Sequence, residues 1–597
     1  MPAADIITLA NLLDKLPPWH PDDENHLYAI VDMGRFVHAC WLPNGIRFSI
    51  TSMEPPTTRL LTPIFSSRAP ISLFDALEPS ASGLIFPSET VEAVASALSG
   101  FRQVALMHGV PQSQMLILAT EAMRRASNGG QMLEAIAAAT NGLGVLILDP
   151  AVETLLGAVM GSRSNLAHVP DGGALFLDLG GGSLQMTWVD ATKENYEFDA
   201  AMAGESLPYG AAKLANRIRG QSAQAQAEET KTLQDGIARI YASLCDKFPT
   251  LQATREAQDG GDDAAVVDVY MCGGGFRGYG SMLMHNDPIS PYPIHSTSTY
   301  SVPASQFKQP TKMRQVNEEH VGKIHGMSKR RRQHFPAIAA VIEAFIAVVP
   351  NIRRVTFCGG SNRQGALMMK MPKEIRESNP LEALAGVKDG ERPVFDAVVN
   401  LLSASLPAAE TNFQNMPTVL ARGLAALFIR QIWTRAGYSS SCNTSFALHH
   451  SVVRDSDCPG LTHLGRALLA VTLCARWGND IGPSDEALYR GLWGIIENHQ
   501  TDAVFWALYI GAVSNLLTSV FPVMPREPGT LVSALGFSSH VSKIKAGRNK
   551  VELTIQLSAE IAKRINLEQL ADTFKSTTKN KGGKTGYKAS LNASFLL

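Results

Sequence analysis

The chain has 597 residues, too many for one hydrophobic core, so about three domains are expected. Its 45% hydrophobic and 18% charged content is that of a soluble globular protein and excludes a disordered chain. A formal net charge of −1 gives no global pull toward nucleic acid or an anionic membrane, so neither DNA nor membrane binding is expected.

Residues 1–26 read as a leader, a short helix followed by a Pro-rich and acidic stretch. No basic segment leads into an apolar one there, so no secretory signal is expected. From 27 to 167 strand-like runs alternate with helices, which predicts a first α/β lobe. LYAIVDM, GIRFSITSM, QVALMHGV and MLILAT read as strands, and TVEAVASALSGFRQ and QMLEAIAAAT as amphipathic helices. A second lobe is expected over 168–375. It opens with the strand–glycine turn–strand ALFLDLGGGSLQMTWVD and continues through ESLPYGAAKLANRI, a long helix near 225–247, and the strands VVDVYMCGG and VTFCGG. EAQDGGDDAA (256–265) and the Pro/Ser/Tyr/His-rich stretch 287–310 read as surface loops.

Beyond 376 the apolar residues recur at helical spacing, in FDAVVNLLSASL, TVLARGLAALFIRQIW, LGRALLAVTLCARWG and EALYRGLWGIIENH, so 376–545 is expected to be helical. Ala503 to Met524 is uncharged and long enough to raise a membrane question. Ser514, Asn515, Thr518, Ser519 and Pro522 favour a buried helix instead. Residues 546–597 read as a short strand, VELTIQLS, and a basic tail, KSTTKNKGGKTGYK. The seven cysteines, Cys40, Cys245, Cys272, Cys358, Cys442, Cys458 and Cys474, contain no CxxC pair. Reduced thiols in a cytoplasmic protein are therefore expected.

The chemistry concentrates in two Asp-x-Gly elements. Asp178-Leu179-Gly180-Gly181-Gly182-Ser183 ends one strand with a carboxylate and a turn of backbone N–H groups. Such a turn can wrap phosphate oxygens with no Cβ in the way, while the carboxylate reaches a metal or a water. Read alone, it is equally a glycine-rich hairpin. Asp32-x-Gly34 followed by Asn44-Gly45-Ile46-Arg47 supplies a second carboxylate and turn, and adds a guanidinium.

In that order these motifs resemble the exopolyphosphatase / guanosine-pentaphosphate phosphatase family. Asp32, Gly34, Asn44, Gly45, Arg47 and Phe48 resemble its D-x-G-S-N-x-x-R. Ala119 to Arg124 match A-T-x-A-x-R. Glu153 falls on the glutamate of I-S-G-x-E-E-A-R-L, Asp178 to Gln185 fall on D-I-G-G-G-S-T-E, and Leu207 to Ala211 resemble L-P-x-G-A. Cys272 to Gly275 and Cys358 to Gly365 follow as further glycine-rich turns.

The resemblance implies a fold, a duplicated actin-like (ASKHA, ribonuclease H-like) two-lobed α/β phosphatase module followed by a mostly α-helical C-terminal region. It also implies phosphoanhydride chemistry with Mg²⁺ on polyphosphate or a phosphorylated nucleotide, with ATP or another nucleotide allowed as ligand. Asn44, Gly45, Arg47, Arg124, Gly180, Gly181, Gly182, Ser183, Gly273 and Gly274 would bind phosphate, and Asp32 and Asp178 the metal. Glu153, with Gln185 beside it, would handle the attacking water. A fungal branch of the family serves mitochondria-to-nucleus signalling, which adds a signalling partner and allows a homodimer.

Two departures point to binding with slowed or lost hydrolysis: Gln185 stands where the family has Glu, and Glu153 lacks the usual neighbouring glutamate. An active hydrolase without a signalling role is the alternative. His449, His450, Asp455, Asp457 and His463 could be the remnant of an HD-type helical domain, but their order does not make a metal set. Lys329-Arg330-Arg331-Arg332 reads as a basic helix start on a solvated face rather than an import signal.

Nine residues, Arg35 to Pro43, interrupt the first motif. Without them, and with one Ser restored, it would read D-M-G-S-N-G-I-R-F. They would be expected to misplace Asn44 and Arg47 by several ångströms. They are either a natural alteration or a read-through intron, because Arg35-Phe36-Val37 can be encoded with the shape of a splice donor.

Overall fold

The computed structural model describes residues 5–34, 45–407, 418–420, 423–454, 458–544, 548–579 and 586–596. Asn44, the nine residues 35–43, Asp455 and Asp457 lie outside them. The chain forms two compact units, Met1–Asp287 with Ser296–Ser378, and Pro288–His295 with Asn379–Leu597.

The first unit is built on two six-stranded sheets. The strands of the first are β1 (Asp5–Ile7), β2 (Leu27–Asp32), β3 (Ile46–Ser52), β4 (Thr62–Ala69), β7 (Met115–Ala119) and β8 (Val145–Leu148), with the small hairpin β5 (Glu78–Ser80) and β6 (Gly83–Ile85) apart from them. Their order is β1-β8-β7-β2-β3-β4. β2 is parallel to β7, and β7 to β8, while β3 and β4 return antiparallel. β2 is apolar up to its final carboxylate and almost wholly buried, as expected of a strand covered on both faces.

The second sheet repeats this plan with β9 (Ala174–Leu179), β10 (Leu184–Val189), β11 (Glu205–Leu207), β12 (Val267–Cys272), β13 (Ser301–Pro303) and β14 (Ile352–Phe357), in the order β11-β10-β9-β12-β14-β13. β9 and β10 form the glycine-turn hairpin, and β12 and β14 run parallel to β9 and β12 respectively.

One apolar cluster joins the sheets: Leu118 and Leu148 from the first, Phe176 and Cys272 from the second, and Leu155, Leu156 and Val159 between them. The last three lie in a stretch, Thr154–Gly161, where the helix begun at Pro150 widens into π-helical turns. Such widening recurs at functional sites. Gly365 lies against this stretch so closely that a Cβ would fall 1.9 Å from the Leu156 carbonyl oxygen.

The second unit is mostly helical. Its core includes Arg392–Ala404, Leu424–Ile432, Ser440–Val453, His463–Arg476, Glu486–His499 and Ala503–Val520. Ala503–Val520 is long and apolar enough to cross a membrane, and 83% of its window is buried inside the unit. A three-stranded sheet, β15 (Leu535–Ile544), β16 (Arg548–Leu557) and β17 (Tyr587–Phe595), completes the unit.

Several elements differ from expectation. QVALMHGV is not a strand: Ser88–Met107 is one helix, and its buried Leu98, Phe101 and Ala105 continue the spacing set by Val91, Val94 and Ala95. Within the leader, Asp5–Ile7 pairs in parallel with β8 at the sheet edge. The helix Pro249–Asp259 takes the first part of EAQDGGDDAA, and the 287–310 stretch contains β13 and the short helix Ala304–Phe307. Tyr587 and Lys588, read as basic tail, begin β17.

Candidate phosphate-binding site

Parallel strands bring their carboxyl ends together, and those ends carry the site. β2 ends at Asp32. β7 leads through Thr120 into the short helix Glu121–Arg125, and β8 leads into the helix at Pro150, capped by Asp149 Oδ1, which accepts the Val152 N–H at 2.7 Å. Arg124 and Glu153 thereby face each other, Arg124 Nη2 donating to Glu153 Oε2 at 3.0 Å. Arg124 Nη1 also donates to the Leu148 carbonyl. Burial pushes the Glu153 carboxyl above its usual range, and Arg124 partly offsets this.

In the second sheet Asp178 lies one residue before the end of β9. It is 4% exposed and its Oδ1 accepts no hydrogen bond. Burial raises its pKa to about 7, Arg277 pulls it down, and Glu153 and Asp32 push it up. The turn that follows is braced from behind. Gly180 N–H donates to Ser183 O at 3.0 Å, and the Gly180 and Gly181 carbonyls accept the N–H groups of Ala211, Ala212 and Lys213. Gly210 sits so close that a Cβ would fall 2.2 Å from the backbone of Gly181 and Gly182. Gln185 is 2% exposed, its Nε2 donating to Ser183 Oγ at 2.7 Å and Ser206 Oγ at 3.4 Å.

Part of this set lines an open cleft of about 570 Å³, solvent space included. Of the expected site residues, Gly45, Glu153, Asp178, Gly180, Gly181, Gly182, Ser183 and Gln185 line it, with Met33 and Gly34 at its edge. Asp32, Arg47 and Arg124 are not among its lining residues. Asp32 is fully buried, with Gly34 N–H donating to its Oδ1 at 2.7 Å and Oδ2 accepting nothing. Burial raises its pKa, while Arg363 and Arg47 lower it. Burial and the nearby Arg363 and Arg277 hold the Arg47 guanidinium well below its usual range.

Arg47 pairs directly opposite Asp32 in the β2–β3 ladder. The strand register sets its place. Gly273 and Gly274 start the helix Gly273–His285 at the end of β12; a Cβ on Gly273 would fall 2.1 Å from Asp178 Oδ1, and Gly274 lines a second cavity with Gly180, Gly181, Arg330, Arg331 and His334.

Sequence reasoning missed Glu121, Asn362 and Lys213. Asn362 lines the cleft at 1% exposure with its Oδ1 accepting nothing, and Glu121 lines the facing wall and pairs with Lys213 Nζ at 3.2 Å. Asn362 lies within the glycine-rich segment Cys358 to Gly365, and Glu121 at the first variable position of the Ala119 to Arg124 motif. Among the described residues no three His, Cys, Asp or Glu side chains converge as a metal-ligand group. Mg²⁺ needs no all-protein cage, holding several waters beside one or two carboxylates and substrate phosphates. The free oxygens of Asp178 and Asn362 suit such a hard cation.

The Lys329–Arg332 run is not solvated throughout. Arg331 is 3% exposed, burial lowers its pKa to about 9, and Arg330 pairs with Asp75. In the second unit His449 Nε2 meets Asp485 Oδ1 at 2.9 Å and His463 Nδ1 meets the Tyr292 hydroxyl at 2.9 Å.

Two α/β sheets sharing one core, with glycine turns and carboxylates at the strand ends, define the actin-like class of two-lobed modules. Residues 53–374 match the Ppx/GppA phosphatase family, and the chain belongs to that family. The Asp32-to-Arg47 motif precedes the matched residues. Residues 379–593 match the RTG2 C-terminal domain. The chain is 29% identical over 576 residues to retrograde regulation protein 2 of Saccharomyces cerevisiae, covering 93% of this chain and 89% of that protein. Among solved structures, the Aquifex aeolicus Ppx/GppA phosphatase in its type II variant is similar, with 17% identity over 58% of this chain and 99% of that one and a TM-score of 0.42. An exopolyphosphatase from Cytophaga hutchinsonii matches at 17% identity, 58% and 97% coverage, and a TM-score of 0.42.

Proposed function

We propose that the chain binds a phosphate-rich ligand, polyphosphate or a phosphorylated nucleotide, with Mg²⁺ in this cleft, and that it acts as a cytoplasmic regulator in mitochondria-to-nucleus signalling through a protein partner. The backbone of Gly180 to Ser183 cradles phosphate oxygens, and Asp178, Asp32 and Asn362 are the residues that would hold the cation. Bound Mg²⁺ would neutralise phosphate charge. Glu153, oriented by Arg124, would position a water or take its proton.

Gln185 carries the choice of regulator over enzyme. Its amide is spent on two serine hydroxyls and cannot bear charge or move a proton, so turnover is slow while binding is kept. Similarity to retrograde regulation protein 2 supports the signalling role. The intact Arg124–Glu153 pair favours a second reading, an active phosphoanhydride hydrolase. A thermal-shift panel of phosphate compounds with Mg²⁺, followed by phosphate-release assays with Glu153→Ala as control, separates them. The regulator predicts stabilisation with little release, and fast Glu153-dependent release would favour the enzyme. If no phosphate compound stabilises the fold, both readings fail.

A further inference from the structure

We propose that Glu121 makes ligand binding in this cleft depend on a divalent cation, supplying the carboxylate that position 185 lacks. The inference rests on the phosphate-binding reading above and adds a residue to it. Glu121 follows Thr120 at the end of β7, across the cleft from Gln185. Its two oxygens have different surroundings. Oε1 is held by Lys213 Nζ at 3.2 Å and Arg125 Nη1 at 3.5 Å. Oε2 is buried, accepts no hydrogen bond, and lies 2.2 Å from where a Cβ on Gly182 would stand. The carboxylate therefore presses directly on the turn that would cradle phosphate.

Oε2 is one of several such oxygens. Asn362 Oδ1 and Asp178 Oδ1 are likewise buried without a donor, on residues that line the cleft, and both residues are more than nine-tenths buried. Burying acceptors unpaired is costly unless a ligand satisfies them. Three cleft-lining residues with hard oxygens that lack donors, one of those oxygens against the anion turn, suit a cation bridging protein and phosphate. Without that cation, an incoming phosphate meets the Glu121 charge at contact range.

The test measures the dissociation constant of inorganic tripolyphosphate for the full chain in EDTA and in Mg²⁺, with Mn²⁺ binding followed by electron paramagnetic resonance. The wild type is expected to bind at least ~10-fold more tightly with Mg²⁺, a factor that corresponds to one tenfold step in affinity. Glu121→Gln should bring the ratio near one and weaken Mn²⁺ binding, while Glu121→Asp keeps the wild-type ratio. An unchanged ratio in Glu121→Gln overturns the proposal, and so does loss of binding in both conditions. Should Glu121→Gln fail to melt cooperatively, Lys213→Met, which strips the carboxylate of its counter-ion, must show a larger ratio than wild type; an unchanged one overturns the idea. A wild type that binds equally with and without Mg²⁺ refutes this inference and leaves the phosphate-binding part of the proposed function standing. One that binds in neither condition refutes the proposed function with it.

Discussion

Arg124 and Glu153, 29 residues apart in sequence, meet at 3.0 Å because each follows one of two adjacent parallel strands. Arg124→Ala leaves the partly buried Glu153 without its guanidinium and is expected to destabilise the fold by about 1 kcal/mol, the low end of the cost of stranding a buried polar partner because the carboxylate keeps some access to water. Chemical denaturation measures it. Glu153→Gln should keep tripolyphosphate affinity while removing whatever phosphate release exists, a loss of roughly 10²–10⁴-fold if Glu153 acts as a base.

Gln185→Glu restores a carboxylate beside two serine hydroxyls that can rotate to donate to it. Mg²⁺-dependent phosphate release should then rise by ~10-fold or more, within the range ascribed to acid–base groups. No rise in a variant that still binds tripolyphosphate would show that residue 185 does not limit turnover.

Lys370 gives the first unit a pH signature away from the cleft. It is 4% exposed, its ammonium donates to the Pro17 carbonyl and lies 5.1 Å from the Tyr28 ring centre, and burial lowers its pKa from 10.5 to about 8. Between pH 8 and 10.5 the unfolded chain therefore binds more protons than the folded one, so stability rises with pH across that window. The penalty is fully present below pH 8 and amounts to at most about 3 kcal/mol at 1.36 kcal/mol per unit. Lys370→Met should flatten this rise in urea midpoints measured from pH 8 to 10.

Deleting Arg35 to Pro43 and placing one Ser there tests the interrupted motif. Because the β2–β3 ladder already pairs Asp32 with Arg47, the shortened chain should keep its melting behaviour, loop-closure entropy changing by about 1 kcal/mol or less. A large loss of stability would show that the nine residues belong to the folded structure.

Both glycine hairpins, most strands and the helical run beyond 376 were legible because each carries its signal locally, as alternation, helical spacing or a run of glycines. The error at QVALMHGV came from reading a Val/Leu/Met run by composition, when Ala105 continues a helical spacing already visible from Val91. The site was legible in its backbone and less so in its side chains. Asp178 and Gly180 to Ser183 follow from one motif, whereas Glu121 meets Lys213, and shares the cleft with Asn362, only through the folding of distant segments. The position of Arg47 depends on pairing across strands, which counting residues along the chain does not reveal.

Gly210 braces the glycine turn by backbone contact alone. In a library of random alleles scored for function, this position should tolerate almost no replacement, although it does not line the cleft. Loss-of-function alleles will gather at such buttresses as well as at the binding residues. A genetic map of this protein will therefore outline a larger patch than the ligand touches, and only direct binding measurements will separate the two.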